Sequence, residues 1–288
     1  MEKYLTVDIG GTFIKYSMMD SAYHVYEEGS LATAKASWEF LEQLKSVVLK
    51  YKGRISGIAL CIAGFIHPES GENTDFSVGR HFREYNLKKE LSAFSGLNVS
   101  IENDSNCAAL GEMIAGAGKG CKNLCLLTIG TGIGGGIIVN GKLMRGSHFK
   151  AGEAGLMKMY AGEGFLSSCE YAGATSSLVR EVSQALGKKV DGYYIFDEMD
   201  TDPQIAEIYK SWLNKLALTA GNAAMLLDPE IILIGGGISV QARFIKDLKT
   251  RVYELYPHLE EYTRIAACTT GNLAGRIGAL HVHKEEYQ

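Results

Sequence analysis

Tyr4-Leu5-Thr6-Val7-Asp8-Ile9-Gly10-Gly11-Thr12-Phe13-Ile14-Lys15, near the start, and Leu124-Cys125-Leu126-Leu127-Thr128-Ile129-Gly130-Thr131-Gly132-Ile133-Gly134-Gly135-Gly136, near the middle, decide the fold of this chain. Each is an apolar β-type run, a glycine turn and a second run able to form a strand. Glycines at such turns permit positive φ and aim backbone N–H groups at an anion, and the threonine hydroxyls add donors. Strand, tight turn, strand, twice over, reads as two halves of one polyphosphate clamp. Its candidate residues are Asp8, Gly10, Gly11, Thr12 and Lys15 in the first half, and Thr128, Gly130, Thr131, Gly132 and Gly134 in the second.

Outward from the first turn the pattern alternates in the βαβ manner. Strands near 4–9 and 12–19 precede a helix over Ser37–Tyr51, a buried strand Ile55–Ile62, a helix over Leu87–Phe94 and a strand Val99–Glu102. Asn103-Asp104-Ser105-Asn106 caps a helix from Cys107 to Ala117, and Gly116–Gly120 is a flexible break. The second half repeats the theme with strands around 124–129 and 133–139, an irregular loop from Arg145 to Gly164, and helices over 167–186 and 203–227. A buried strand Ile231–Ile234 then runs into Gly235-Gly236-Gly237, and a last strand Arg264–Ala267 leads through Thr269–Asn272 to a helix ending near His281. We expect an α/β fold with domains over 1–117 and 118–272, the first completed by the C-terminal helix 273–288, and a cleft between them.

Composition bounds the function. The 288 residues are 46% hydrophobic and 22% charged, enough apolar material for two globular domains. A formal net charge of −4 without a lysine or arginine block argues against nucleic acid as a partner. The sequence enters a strand directly after Met-Glu-Lys-Tyr and has no apolar run of transmembrane length, so a cytoplasmic protein is expected, with neither leader nor membrane anchor. The six scattered cysteines read as reduced and structural, and Cys121-x-x-x-Cys125 runs into a buried strand with no histidine nearby, which is poor zinc chemistry.

Four carboxylates carry the candidate chemistry. Asp8 stands at a strand end beside the first glycine turn, where it can hold Mg²⁺ directly or through water; the competing reading is an ordinary turn aspartate. Lys15 is either a phosphate ligand or a solvated strand residue. Asp104, between a buried strand and a helix start, is the candidate base for a hydroxyl attacking phosphorus, against the plainer role of N-cap. Glu153, bracketed by Gly152 and Gly155, and Glu170 suit polyol hydroxyls. Gly235, Gly236 and Gly237 after a buried strand let a nucleoside approach the backbone.

These pieces, in this order and over nearly the whole chain, resemble the ROK family (repressors, open reading frames and sugar kinases) of the actin/hexokinase/Hsp70 ATPase superfamily. Asp8-x-Gly-Gly-Thr-x-x-Lys15 is similar to its first phosphate motif and Thr128–Gly136 to its second. Gly235–Gly237 resembles its adenosine motif, Gly271–Ala279 its C-terminal helix, and Glu102–Glu112 the segment with the catalytic aspartate. The resemblance implies two actin-like, ribonuclease H-like domains and ATP-dependent phosphorylation of a sugar, usually at the 6-hydroxyl. It implies that Asn103, Asp104, Glu153 and Glu170 hold the sugar, that Asp104 is the general base, that ATP and Mg²⁺ are the cofactors, and that the protein is a homodimer. Repressors of the family carry an extra N-terminal helix-turn-helix, for which Asp8 lies too near the start.

Two departures stand out. Where most members have Gly-Glu-x-Gly-His, this chain has Gly152-Glu153-Ala154-Gly155-Leu156, and Tyr160–Glu170 replaces the cysteine-rich zinc segment with one cysteine, Ser168 standing where the last zinc cysteine aligns. Leucine cannot ligate and one thiol is too few, so no structural zinc is expected. Asn73–Phe82 also departs from the family's Asn-Leu-x-Gly-Trp stretch, with Phe82 aligned to the tryptophan. A pocket changed on both walls suits a β-glucoside, with glucose and N-acetylmannosamine as the other candidates; a non-catalytic sugar or nucleotide sensor of the same fold is the alternative.

Overall fold

A computed structural model describes residues 2–162 and 164–288, with all of their side chains but those at 161 and 162. The chain divides into two compact units. One holds the residues up to Gly120 with Leu143–Ala151 and Thr269–Gln288, the other Cys121–Lys142 and Gly152–Cys268. The sequence reading put the edges at 117/118 and 272/273 and assigned Leu143–Ala151 to the second domain; the structure groups that segment with the first.

In the first unit, β1 (Lys3–Ile9), β2 (Phe13–Asp20), β3 (Val25–Ala32), β4 (Gly57–Ile62), the short pair β5 (Ile66–His67) and β6 (Glu72–Asn73), and β7 (Asn98–Asn103) follow one another. The main sheet has the order β3-β2-β1-β4-β7, with β1, β4 and β7 parallel and β2 and β3 antiparallel to their neighbours. Side chains alternate across a strand, and both faces of β1 and β4 are covered. Leu5, Val7, Ile9, Ile58, Leu60 and Ile62 pack with α1 (Ser37–Lys50) and α2 (Leu87–Ser95). Alternate residues, Ala59 and Cys61, meet Cys107 of α3 (Asp104–Ala115) and Ala279 of the C-terminal helix (Ala274–Tyr287).

Those two helices cross with almost no space between them. A Cβ on Gly278 would lie 1.9 Å from the Cys107 carbonyl oxygen, and one on Gly111 2.1 Å from that of Ala274, so only glycine fits at either contact. The parallel register sets Asp8, Cys61 and Glu102 in one row and Ile9, Ile62 and Asn103 in the next. The glycine turn after β1 and the polar turn after β7 are thereby presented at the same sheet edge, where parallel α/β sheets carry their ligands.

The second unit contains β8 (Leu124–Ile129), β9 (Ile133–Val139), the first residue of β10 (Lys142–Leu143), the hairpin β11 (Lys158–Gly162) and β12 (Phe165–Ser168), β13 (Ile231–Gly235) and β14 (Arg264–Ala267). Its sheet order, β10-β9-β8-β13-β14, repeats the first pattern: an antiparallel hairpin followed by two parallel neighbours. Helices α4 (Cys169–Gly173), α5 (Thr175–Leu186), α6 (Gly192–Glu198), α7 (Pro203–Leu227) and α8 (Ala242–Leu255) cover it. Asp202 caps α7 through Gln204 N at 2.8 Å, with Pro203 at the first position.

Some elements differ from expectation. The helix read over 167–186 is two, broken at Ala174, which is extended and whose carbonyl accepts from Trp212 Nε1 at 3.0 Å. The irregular loop read from Arg145 to Gly164 contains β11, its partner β12 follows and takes the first two positions of the helix read from 167, and the last helix continues past His281 to Tyr287. Strand β3, helix α6 and helix α8, which presents Phe244, Leu248 and Val252 on one buried stripe, were not anticipated.

Candidate active site

The first glycine turn is held from outside itself. Gly10 N donates to Phe13 O at 3.0 Å, Thr33 Oγ1 donates to Gly10 O at 2.7 Å, and Thr33 N donates to Thr12 O at 2.9 Å, which leaves Gly11 and Thr12 exposed at the tip. Lys35 adds a hydrogen bond to Gly11 O. Asp8 lies across the hairpin from Lys15, and Lys15 Nζ donates to Asn272 Oδ1 at 2.8 Å. Burial raises the Asp8 carboxyl above its usual range, against the charges of Lys15 and Arg276 and the Cys61 thiol.

Asp104 is not the helix cap. Asn103 is, its Oδ1 accepting from Asn106 N at 3.0 Å while its Nδ2 donates to Gly64 O at 3.0 Å. Asp104 thus takes the first helical position, and its Oδ1 accepts from Ser105 N at 2.8 Å. Burial, with a smaller contribution from the Asp8 charge, pushes its carboxyl up; the Ser105 hydrogen bonds act the other way. A carboxylate so placed is a stronger base than one in water, which is what proton abstraction from an alcohol requires. Glu102, one residue before the cap, is 1% exposed and accepts from Asn103 N, Asn106 Nδ2 and Arg145 Nε.

In the second unit the glycine turn is pinned by the start of α5. Thr175 N donates to Gly130 O at 2.9 Å and Ser176 Oγ to Thr131 O at 2.7 Å, while Thr128 Oγ1 accepts from Gly134 N at 3.2 Å. Glu170 reaches this turn: its Oε2 accepts from Ile133 N at 3.1 Å, and a Cβ on Gly155 would sit 3.3 Å from its own Cβ. The turn, Glu170 and the Gly152–Gly155 loop carrying Glu153 are therefore neighbours. Gly236, at φ +86°, brings its backbone against Ile129, where an added Cβ would stand 2.2 Å from the carbonyl oxygen. Gly235, Gly236 and Gly237 lie at the end of β13, the parallel neighbour of β8.

Several side chains that set this geometry were missed. Thr33, Thr175 and Ser176 hold the two turns from distant segments, and Arg145 reaches Glu102 from a stretch read only as loop. Buried Glu112 accepts from Ala117, Thr269 and Thr270 N–H groups, tying the end of α3 to the start of the C-terminal segment. Phe82, aligned to the family's tryptophan, has its ring buried against Phe40 at 5.6 Å between centroids. Where the zinc segment would stand, Cys169 Sγ lies 3.0 Å from Thr219 Oγ1 and Leu156 is 55% exposed; Glu163 lies outside the described residues. Cys121 contacts Arg264 Nη2, and burial lifts the Cys125 thiol to about 12.

Among the described residues, no group of three or more His, Cys, Asp or Glu is arranged to hold a metal. Asp8 alone offers one carboxylate, which suits a hydrated Mg²⁺ that arrives with phosphate oxygens rather than a cage of protein ligands. Also among the described residues, no helix is long and apolar enough to cross a membrane.

Comparison with known proteins bears on the same residues. The model of the ROK family matches residues 4–286. A beta-glucoside kinase of Listeria monocytogenes is 32% identical over 302 residues, covering 99% of this chain and 98% of the relative. A glucokinase of Halalkalibacterium halodurans is 30% identical over 316 residues, covering 98% and 95%. The structure of a ROK family protein from Streptococcus pneumoniae in complex with sucrose superposes with a TM-score of 0.88 at 31% identity, covering 99% of this chain and all of that one.

Proposed function

The chain belongs to the ROK family, and on that premise we infer that it is an ATP-dependent carbohydrate kinase. The acceptor we propose is a hexose or hexoside phosphorylated at the 6-hydroxyl. The observation that carries this reading is Asp104: a carboxylate on the first turn of α3, its pKa raised by burial, at the sheet edge that also presents Asp8 and the exposed Gly11-Thr12 turn.

Asp104 takes the proton of the sugar hydroxyl as that oxygen bonds to the γ-phosphorus of ATP; the bond from the γ-phosphorus to the β–γ bridging oxygen breaks, and ADP leaves. Gly10 N and Gly130 N close their own turns, so the backbone N–H groups of Gly11–Thr12 and Thr131–Gly132 orient the phosphates, with Thr12, Thr128 and Thr131 as further donors and Lys15 as a positive charge. Asp8 would hold Mg²⁺, which offsets the phosphate charge. Gly235–Gly237 approach the adenosine. Asn103, whose amide is already engaged in capping α3 and binding Gly64, contributes to the sugar site chiefly by fixing Asp104; Glu153 and Glu170 accept sugar hydroxyls.

Among acceptors we favour a β-glucoside over glucose and N-acetylmannosamine. Leu156 follows Gly155, which lies against Glu170, and it is exposed together with Phe165 and Leu166, an apolar surround suited to a substituent on the sugar. The names of relatives such as the Listeria monocytogenes protein support the same choice. We further propose a homodimer, supported by exposed Leu218, Met225 and Leu226 along one side of α7, beside a cavity of about 310 Å³ lined by Met157, Tyr160 and Leu218.

The test of the reaction is Asp104→Asn. Turnover of a sugar panel that includes cellobiose and aryl β-glucosides, read as ADP release, should fall by at least about a thousandfold, while binding of a non-hydrolysable ATP analogue is kept. Near-normal turnover in this variant would refute the mechanism.

A further inference from the structure

We propose that Arg145 is a positioning residue for the phosphoryl transfer, acting through Glu102 to fix the turn that carries Asp104. The inference rests on the reading of Asp104 as the base.

Glu102 is buried, and its two oxygens divide the work. Oε1 accepts from Asn103 N at 2.8 Å and Asn106 Nδ2 at 3.0 Å, gripping the residues on either side of Asp104. Oε2 accepts from Arg145 Nε at 2.6 Å. Glu102 is 1% exposed at its side chain and Arg145 28%. A carboxylate taken out of water demands a cationic partner, and an arginine nitrogen with fixed direction also sets the rotamer of the acid it meets. Without Arg145, the buried Glu102 side chain loses its cationic partner and with it the contact that aims Oε1 at the turn.

Arg145 is itself held. It opens a loop closed by Ala151 N donating to Arg145 O at 3.2 Å, with Gly146 at φ +74°. The loop is fastened to the first unit again by Phe149, whose ring centroid is 4.3 Å from that of His67, and by Lys150 above the Phe65 ring at 4.7 Å. The guanidinium is thus delivered by a braced segment 43 residues along the chain from its partner. The effect on Asp104 is one of geometry, carried through Glu102 to the turn.

The experiment compares Arg145→Met, Arg145→Lys and the double variant Glu102→Gln/Arg145→Met, measuring kcat, KM for ATP, KM for the sugar and melting temperature. Arg145→Met should lower kcat by about 10- to 100-fold, as for small displacements of a reacting group, with KM for ATP unchanged and a lowered melting temperature. Arg145→Lys, which keeps the charge without the fixed Nε, should recover part of kcat. The double variant removes both charges and retains an Oε1 acceptor, so its melting temperature should return toward wild type while kcat stays low. A purely structural role predicts the opposite, wild-type kcat in the refolded double variant, and that result would overturn the proposal even if Arg145→Met failed to fold. Loss of turnover in Asp104→Asn together with wild-type kcat in the Arg145 variants would sink this inference alone; retained turnover in Asp104→Asn would sink the underlying reading.

Discussion

Mild acid should loosen the first unit through one residue, His283. Its imidazole is 2% exposed, packed on the rings of Tyr4 and Tyr287 at 5.4 and 4.9 Å, with Nδ1 3.2 Å from Ser100 Oγ. Burial depresses its pKa from 6.5 to about 4, against the smaller opposing effect of Glu286. A depressed folded-state pKa means that the stability is fully present above pH 6.5 and is lost as pH falls toward 4, because the unfolded chain takes up the proton first. For a folded value of about 4, linkage removes about 2.5 kcal/mol of stability between about pH 7.5 and about pH 4.5.

His283→Gln stays neutral throughout and occupies less space above Gly57, where a Cβ would lie only 2.2 Å from the imidazole Nε2. At neutral pH this variant should be less stable by about 1–2 kcal/mol, from lost ring contacts and a weakened hydrogen bond to Ser100. At about pH 4.5 the order should reverse, since only the wild type has the linkage penalty. Urea titrations followed by circular dichroism at both pH values measure this directly. His81 and His281, also depressed by burial, titrate in both proteins and cancel in the difference. Stability curves that run parallel from neutral to acid pH would refute the argument.

Asp104→Asn should raise the melting temperature at neutral pH while it removes turnover. The carboxyl pKa is raised by burial, so the fold is favoured below the usual aspartate range and disfavoured as pH rises through the raised value; a neutral side chain lacks that deficit, and the gain should vanish in acid. Gly236→Ala forces a non-glycine residue to φ +86° against the Ile129 carbonyl and should cost about 1–3 kcal/mol together with weaker binding of an ATP analogue; a loss within experimental error would contradict the steric argument. Leu218→Glu/Leu226→Glu places charges on the exposed side of α7, and light scattering should find the variant monomeric beside a dimeric wild type. A monomeric wild type would end the dimer proposal.

The parts of this protein that were legible in its sequence are those in which a short segment does its own chemistry. Gly10-Gly11 and Gly130-x-Gly132 show themselves in the sequence without any distant partner, but not for the positive φ expected of them: none of the four has it, a Cβ at Gly11 or Gly130 would meet nothing, and Gly132, against Glu170, is the most tightly confined. The polar run Glu102–Asn106 is legible for the same reason; it left Asp104 open as base or N-cap, and the structure gives the cap to Asn103 and the first helical position to Asp104. The β3 strand was hidden because Val25–Ala32 alternates between exposed and half-buried positions at a sheet edge and carries two glutamates, with no apolar stripe to announce it.

What stayed hidden depends on partners far along the chain. The break at Ala174 makes sense only with Trp212, 38 residues later, taking its carbonyl. Thr33 and Ser176 look like any surface hydroxyl residue until the turn they secure is in view. Glu102 and Arg145 are the sharper case, because each has a plain local reading, a strand glutamate and a loop arginine, and neither reading is wrong. Their combination supplies a constraint that one segment cannot: Asn103, Ser105 and Asn106 secure the Asp104 turn from within and from neighbouring backbone, whereas Arg145 fixes the carboxylate on which two of its bonds converge. Five consecutive residues are enough to mark a candidate base, whereas the contact that pins the buried Glu102 carboxylate beside it comes from 43 residues away.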